Sequence, residues 1–234
     1  MSTPKLAGII KELREIDHVN IIRIGTKVPG FNPQRIVGDA SLREMLHEYS
    51  TPEKRIYIMA HFNHPRELTD IAVSGLDELL RAGAIVVNQT PLIRGVNDDV
   101  ETLTELFRRL SFIGAPPYYV FQCRPTAGNK MYSVPVETTF RIFDEARSNV
   151  SGLAQRARMV MSHATGKIEV LGLTADQIIM RYHRPAEEKN AGRLMFYPRN
   201  PRAHWFDDYL VAAGEQEPEP EEEGSGAFDF DPPR

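Results

Sequence analysis

Two polar clusters have the side-chain types and the placement to share a site: His61-Phe62-Asn63-His64-Pro65 and Asn88-Gln89-Thr90. Imidazole and carboxamide are neutral hydrogen-bonding groups, suited to holding a polar ligand without adding charge. Each cluster ends a short apolar run, residues 56–60 and 84–87, largely β-branched or aliphatic, as expected of strands covered on both faces. Between the runs, Leu68, Ile71, Ala72, Leu76, Leu79 and Leu80 recur at spacings of three and four, the mark of one face of a covering helix. The unit is βαβ. In parallel α/β folds the carboxyl ends of the strands form the ligand face, so His61 and Gln89 look into one site. The plainer alternative is that His61 and His64 cap a strand or pack beneath a loop.

The surrounding elements repeat this pattern. Leu6, Ile9, Ile10, Leu13 and Ile16 form the apolar face of an opening helix, and residues 19–24 read as a strand. Residues 25–33, rich in Gly and Pro, read as a loop. Gly38-Asp39-Ala40-Ser41 offers caps for a helix containing Leu42, Met45 and Leu46, and Asp98 or Asp99 can cap one containing Leu103, Leu106, Phe107, Leu110 and Ile113. Pro116 and Pro117 stop that helix before a strand at 118–122, and a further helix spans about 136–149. Four strand–helix repeats with short links argue for a parallel α/β fold with right-handed crossovers. From Arg158 the runs Met159-Val160-Met161, Ile168-Glu169-Val170-Leu171, Ile178-Ile179-Met180-Arg181-Tyr182 and Leu194-Met195-Phe196-Tyr197 read as an antiparallel β annex. Four βα units do not close an eight-fold barrel, and an opening helix with no strand before it is equally unusual, so the chain reads as the back part of something longer.

Composition sets limits. At 234 residues, 41% hydrophobic and 26% charged, the chain can bury a proper core. No apolar run approaches the ~20 residues needed to span a bilayer, and the start carries no secretory h-region, so a cytoplasmic location is expected. Residues 214–234 hold eight acids and one arginine, which leaves the remaining 213 residues at +3. That mild excess, without a basic cluster, gives no support for a nucleic-acid surface. The acidic, proline-rich tail reads as solvated. Cys123 is the single cysteine, which rules out an internal disulfide and any site in this chain built from several thiolates.

The series Ile22-Arg23-Ile24-Gly25-Thr26, Pro33-Gln34-Arg35-Ile36, His61-Phe62-Asn63-His64-Pro65, Asn88-Gln89, Gly95-Val96-Asn97-Asp98, Pro117-Tyr118-Tyr119 and Gln122-Cys123 closely resembles the lysine 2,3-aminomutase family over roughly residues 5–172. The resemblance implies a radical S-adenosylmethionine enzyme with a partial (β/α) barrel, a [4Fe-4S] cluster and pyridoxal phosphate. Such enzymes move an amino group, held as an aldimine, between adjacent carbons of an amino acid after a 5′-deoxyadenosyl radical removes a hydrogen. It further implies that His61 and Gln89 contact S-adenosylmethionine and that Lys167, in Ser162-His163-Ala164-Thr165-Gly166-Lys167, is the pyridoxal phosphate lysine. A Schiff-base lysine must be partly desolvated so that its amine is often neutral. Gly166 would let the backbone approach a cofactor. The bland alternative for Lys167 is a solvated lysine on a hairpin turn.

Three departures from the family pattern matter. The glycine run and aspartate that usually precede the cofactor lysine are absent. Arg124 stands where lysine-specific members carry a substrate-binding carboxylate, and a guanidinium there would repel an ammonium and attract a carboxylate. Lysine is therefore not the expected substrate, and an acidic or neutral amino acid such as glutamate is. A surface ion-pair partner is the plain alternative for Arg124. Finally, the Cys-x3-Cys-x2-Cys cluster motif has no counterpart, and Cys123 alone cannot hold four irons.

The expected organisation is a rear barrel portion at 1–157, a β annex with the cofactor lysine at 158–213, and a disordered acidic tail at 214–234. The expected function is that of a truncated or split aminomutase, inactive without a cluster-bearing half. The alternatives are a non-catalytic binding or assembly subunit, and a different α/β enzyme using Lys167 and pyridoxal phosphate without a radical. Exposed strand edges in an incomplete barrel predict a homo-oligomer or a cluster-bearing partner chain.

Overall fold

In the computed structural model residues 1–212 are described; the acidic tail expected at 214–234 lies outside them. The opening amphipathic stretch forms α1 (Thr3–Arg14), with proline in its first turn and Lys11 and Arg14 in its last, where they complement the helix dipole. β1 (Ile22–Thr26) follows. The segment 25–33 read as a loop instead holds a four-residue helical turn, α2 (Val28–Phe31), and a second, α3 (Gln34–Val37), follows it. Pro29 lies in the first turn of α2 and Pro33 just precedes α3, so the prolines start turns here instead of breaking them.

The Asp39 carboxylate accepts the Leu42 N–H at 3.1 Å and starts α4 (Ala40–Tyr49), which leads to β2 (Ile56–Ala60). Thr69 caps α5 (Asp70–Arg81), so Leu68 lies just ahead of the helix whose apolar face it extends. After β3 (Ile85–Pro91), Asp99 rather than Asp98 caps α6 (Val100–Phe112), accepting the Thr102 N–H at 2.8 Å. β4 (Pro117–Phe121) and α7 (Val136–Ser148) complete the alternating part. Four strands follow: β5 (Arg158–His163), β6 (Gly166–Leu173), β7 (Gln177–Pro185) and β8 (Leu194–Pro198), with a short closing helix α8 (Asp207–Ala212).

All eight strands form one sheet in sequence order. β1 to β5 run parallel, and β5 to β8 alternate antiparallel. Met159-Val160-Met161 is thus the first antiparallel strand, paired with β6, and also the last of the parallel series. β5 pairs parallel with β4 through Tyr119–Arg158, Val120–Met159 and Phe121–Val160, because α7 and the turn at Ala154–Arg156 return the chain as one more crossover. The antiparallel strands extend the same sheet without a break.

The helices cover one face. Val86, Asn88 and Thr90 of β3 are buried against them, with Leu76, Leu79, Leu103, Leu106, Phe107 and Phe143 in the same core. Ile85, Val87, Gln89 and Pro91 alternate onto the other face and stay half-buried, so β3 is covered on one side rather than on both. A buried ion pair ties the C-terminal segment down. Arg199 donates through Nε and Nη2 to Glu137 Oε2 at 2.8 and 2.7 Å, and Asn200 N–H donates to Oε1 at 2.8 Å.

Candidate functional site

His61 leaves the carboxyl end of β2 on a loop that the polar motif residues hold in place. Asn88 takes the Phe62 N–H on Oδ1 at 2.8 Å and donates Nδ2 to the Phe62 carbonyl at 3.1 Å. Asn97 donates to the carbonyls of Asn63 (2.9 Å) and Pro91 (3.0 Å) and accepts the Ile93 N–H at 2.7 Å. Arg109 on α6 donates to the carbonyls of Pro65 and Leu68 at 3.0 and 2.7 Å. His64 follows the plainer reading: its Nδ1 accepts the Arg66 N–H at 3.0 Å and caps a single turn.

His61 does reach Gln89, its neighbour across β2 and β3: the Gln89 carboxamide donates to His61 Nε2. That contact needs an unprotonated ring nitrogen. Burial, and then the charge of Lys27, lower the His61 pKa below its ordinary 6.5, which keeps the acceptor free. The sign for stability follows: with the folded pKa depressed, the unfolded chain takes up the proton first, so stability falls as pH drops from 6.5 toward the folded value. A His61→Gln variant should show a flatter dependence of melting temperature on pH through that window; a slope equal to that of the wild type would refute the assignment.

Lys167 sits on β6 opposite Ser162 of β5, at the end of the sheet that carries His61 and Gln89. Its Nζ donates to Ser162 Oγ at 3.3 Å and lies 4.7 Å from the ring centroids of both Tyr119 and Phe121. Burial lowers the amine's pKa, and the charges of Arg184 and Arg23 lower it further. The hairpin before it is braced by His163, which contacts Asp207 Oδ1 at 2.9 Å and Thr165 Oγ1 at 2.8 Å. Gly166 has φ +127°, and the backbone of β7 closes on it, so its lack of a side chain serves the strand pairing rather than a cofactor's approach.

The residues form a line across the sheet: His61 touches Gln89, Gln89 is in register with Tyr119, and Tyr119 carries Lys167. Arg124 is not brought into contact with it. Arg124 is exposed on the loop after β4, and its guanidinium has no partner among the described residues. Cys123 is half-buried, which raises its thiol pKa, and it accepts a long contact from Asn129 at 3.7 Å.

Sequence reasoning missed the polar cluster beside Lys167. Glu169, 8% exposed, pairs with Arg181 at 2.6 Å and lies 3.6 Å from Arg158 and 3.9 Å from His183. The signal was available: Glu169 follows Lys167 by two residues on a strand, hence on the same face. His183 carried no such signal, because it stands at a register shift between β6 and β7.

Sequential parallel strands continued by antiparallel ones, with His61, Gln89 and the partly buried Lys167 amine toward one end of the sheet, define a mixed α/β protein. No family model matches the chain. Among curated proteins it is 52% identical over 216 residues to a protein of Aquifex aeolicus described as "Putative L-lysine 2,3-aminomutase", covering 92% of this chain and 58% of that one. It is 39% identical over 154 residues to L-lysine 2,3-aminomutase of Fusobacterium nucleatum, covering 66% of this chain and 35% of that one. It is 34% identical over 149 residues to glutamate 2,3-aminomutase of Clostridioides difficile, covering 64% and 34%. The chain belongs to the lysine 2,3-aminomutase family. It spans between a third and three-fifths of the length of these relatives.

Proposed function

We propose that this chain forms the cofactor-lysine portion of a radical S-adenosylmethionine, pyridoxal phosphate-dependent amino-acid 2,3-aminomutase. The observation that carries the reading is the setting of Lys167: a primary amine pressed on two aromatic rings, with its pKa lowered by burial and by neighbouring guanidinium groups. Such an amine attacks an aldehyde at neutral pH far more readily than a solvated lysine does. Arg184 and Arg23 are the cations that suit a phosphate, and His61 with Gln89 would hold S-adenosylmethionine without adding charge. When bound, pyridoxal phosphate supplies delocalisation of the unpaired electron while an amino group moves between adjacent carbons.

Residues 1–157 then act as the rear of a (β/α) barrel and 158–213 as the segment that brings the lysine. The sequential parallel order supports this, as does the effect of Arg23 on Lys167. β1 and β6 are separated by four strands, yet the charge on one is felt by the amine on the other, as in a sheet that curls. An iron–sulfur cluster does not fit the residues present. The sequence has one cysteine, and no group of three or more His, Cys, Asp or Glu among the described residues could hold a metal. In this reading the cluster ligands come from polypeptide outside these 234 residues, on a longer chain or a partner, and the isolated chain does not perform the radical reaction.

Incubation of the purified chain with pyridoxal phosphate, then borohydride and peptide mass mapping, tests the reading. The reduced pyridoxyl adduct should concentrate on Lys167 and vanish in Lys167→Ala. Label spread over the exposed lysines would sink it and leave the alternative of a non-catalytic assembly subunit.

The substrate proposal rests on Arg124, whose free guanidinium favours an acidic or neutral amino acid over lysine. In the completed enzyme, Arg124→Asp should raise turnover of lysine relative to glutamate by about tenfold, the scale set by exchanging attraction for repulsion at one charge. An unchanged ratio would remove Arg124 from the site.

A further inference from the structure

We infer that His183 is a positioning residue for Lys167, holding the aromatic wall on which the amine rests. The Tyr119 hydroxyl and His183 Nε2 are 2.8 Å apart, and their rings meet edge to face at 5.9 Å. The Tyr119 ring carries the Lys167 amine at 4.7 Å. His183 has further partners: Arg158 Nη1 lies 3.3 Å from both ring nitrogens, and Glu169 Oε2 lies 3.9 Å from Nδ1. Arg181, in turn, holds that carboxylate at 2.6 Å. The order of contact is therefore Glu169 with its two arginines, then His183, Tyr119 and Lys167.

Both hydrogen-bonding partners are held in their neutral forms. Burial, and then its hydrogen bond to Tyr118, push the Tyr119 phenol up, so it keeps its proton. Burial and then Arg158 push His183 down, since an imidazolium there would face a guanidinium. A neutral pair in a half-buried site keeps its geometry without competing for the charge on Lys167, and a tyrosine ring that cannot swing away keeps water from that side of the amine. The inference rests on Lys167 being the reacting amine of the proposed function.

The test is competitive labelling of the full chain with acetic anhydride across the neutral and alkaline range, with Lys167 read by mass and exposed Lys5 as internal reference. In His183→Phe the Lys167 midpoint should move up, with labelling about threefold slower below it, equivalent to half a pH unit. His183→Gln, which can still pair with the phenol, should restore the wild-type profile. Tyr119→Phe keeps the ring and loses the hydroxyl, so it should match His183→Phe, and the double variant should add nothing further.

Lys167 profiles in His183→Phe and Tyr119→Phe that both superimpose on the wild type overturn the inference; if His183→Phe is thermally damaged, Tyr119→Phe decides alone. Because this reagent needs no cofactor, the two readings fail separately. A chain that shows the shift but forms no pyridoxyl adduct retains the positioning role and loses the cofactor assignment. One that forms the adduct without the shift loses the positioning role only.

Discussion

Replacing Gly166 with alanine is expected to destabilise the chain by roughly 3–5 kcal/mol, the sum of left-handed backbone strain and an overpacked contact that cannot relax. At φ +127° a side chain is strained whatever the space, and here there is none. A Cβ would meet the Arg184 carbonyl oxygen, Pro185 Cα at 2.6 Å and Ala186 N at 2.8 Å, all backbone atoms. β7 cannot step back to make room, because the Ala186 N–H donates to the Thr165 carbonyl at 2.9 Å and spans the same corner. The damage falls beside Lys167, so the variant should lose selective pyridoxyl labelling together with stability. Urea unfolding measures the loss of stability directly, and a loss under about 1 kcal/mol would mean that β6 and β7 do not close on Gly166 in this register.

Arg199→Met should cost about 3 kcal/mol or more, by leaving the Glu137 carboxylate buried without its counter-charge. Glu137 is 1% exposed and sits inside α7, whereas Arg199 lies beyond β8, so the pair joins the last strand to the last crossover helix. Arg199 also donates to the Thr174 carbonyl at 2.6 Å, which links the β6–β7 turn to the same point. Glu137→Leu combined with Arg199→Met should recover much of the loss, because a buried pair replaced by apolar groups is often neutral. A single variant as stable as the wild type at neutral pH would show that the carboxylate has another partner.

The longer helices were legible in the sequence because their apolar faces repeat at three and four, and where Asp39 and Asp99 cap them the caps are local, three residues from the N–H groups they accept. The pairing of Arg158–His163 was not, because parallel and antiparallel strands of that length carry the same residue types and only the crossover geometry separates them. In the site, His61 and Gln89 could be placed by their position at strand ends. The parts that hold them could not. Asn88 meets Phe62 across 26 residues and Tyr119 meets His183 across 64, and no spacing rule connects such pairs. Gly166 was visible as a special residue, but the identity of what approaches it, the backbone of β7, appears only once the hairpin is folded.

A sheet whose spatial order is its sequence order also sets how the chain can be made. Each strand leaves the ribosome to find its neighbour already present, so the sheet can grow by addition at one edge, without holding an early strand open for a late one. The candidate site residues are not seated at the same pace. His61 and Gln89 can meet once β2 and β3 are paired, but the amine of Lys167 has His183 and Arg184 as neighbours, and the corner at Gly166 closes only when residues 184–186 have emerged. During synthesis Lys167 is therefore the last of the three to be seated, and a nascent chain paused before β7 would present its amine to β4 and β5 alone, without Arg184 beside it.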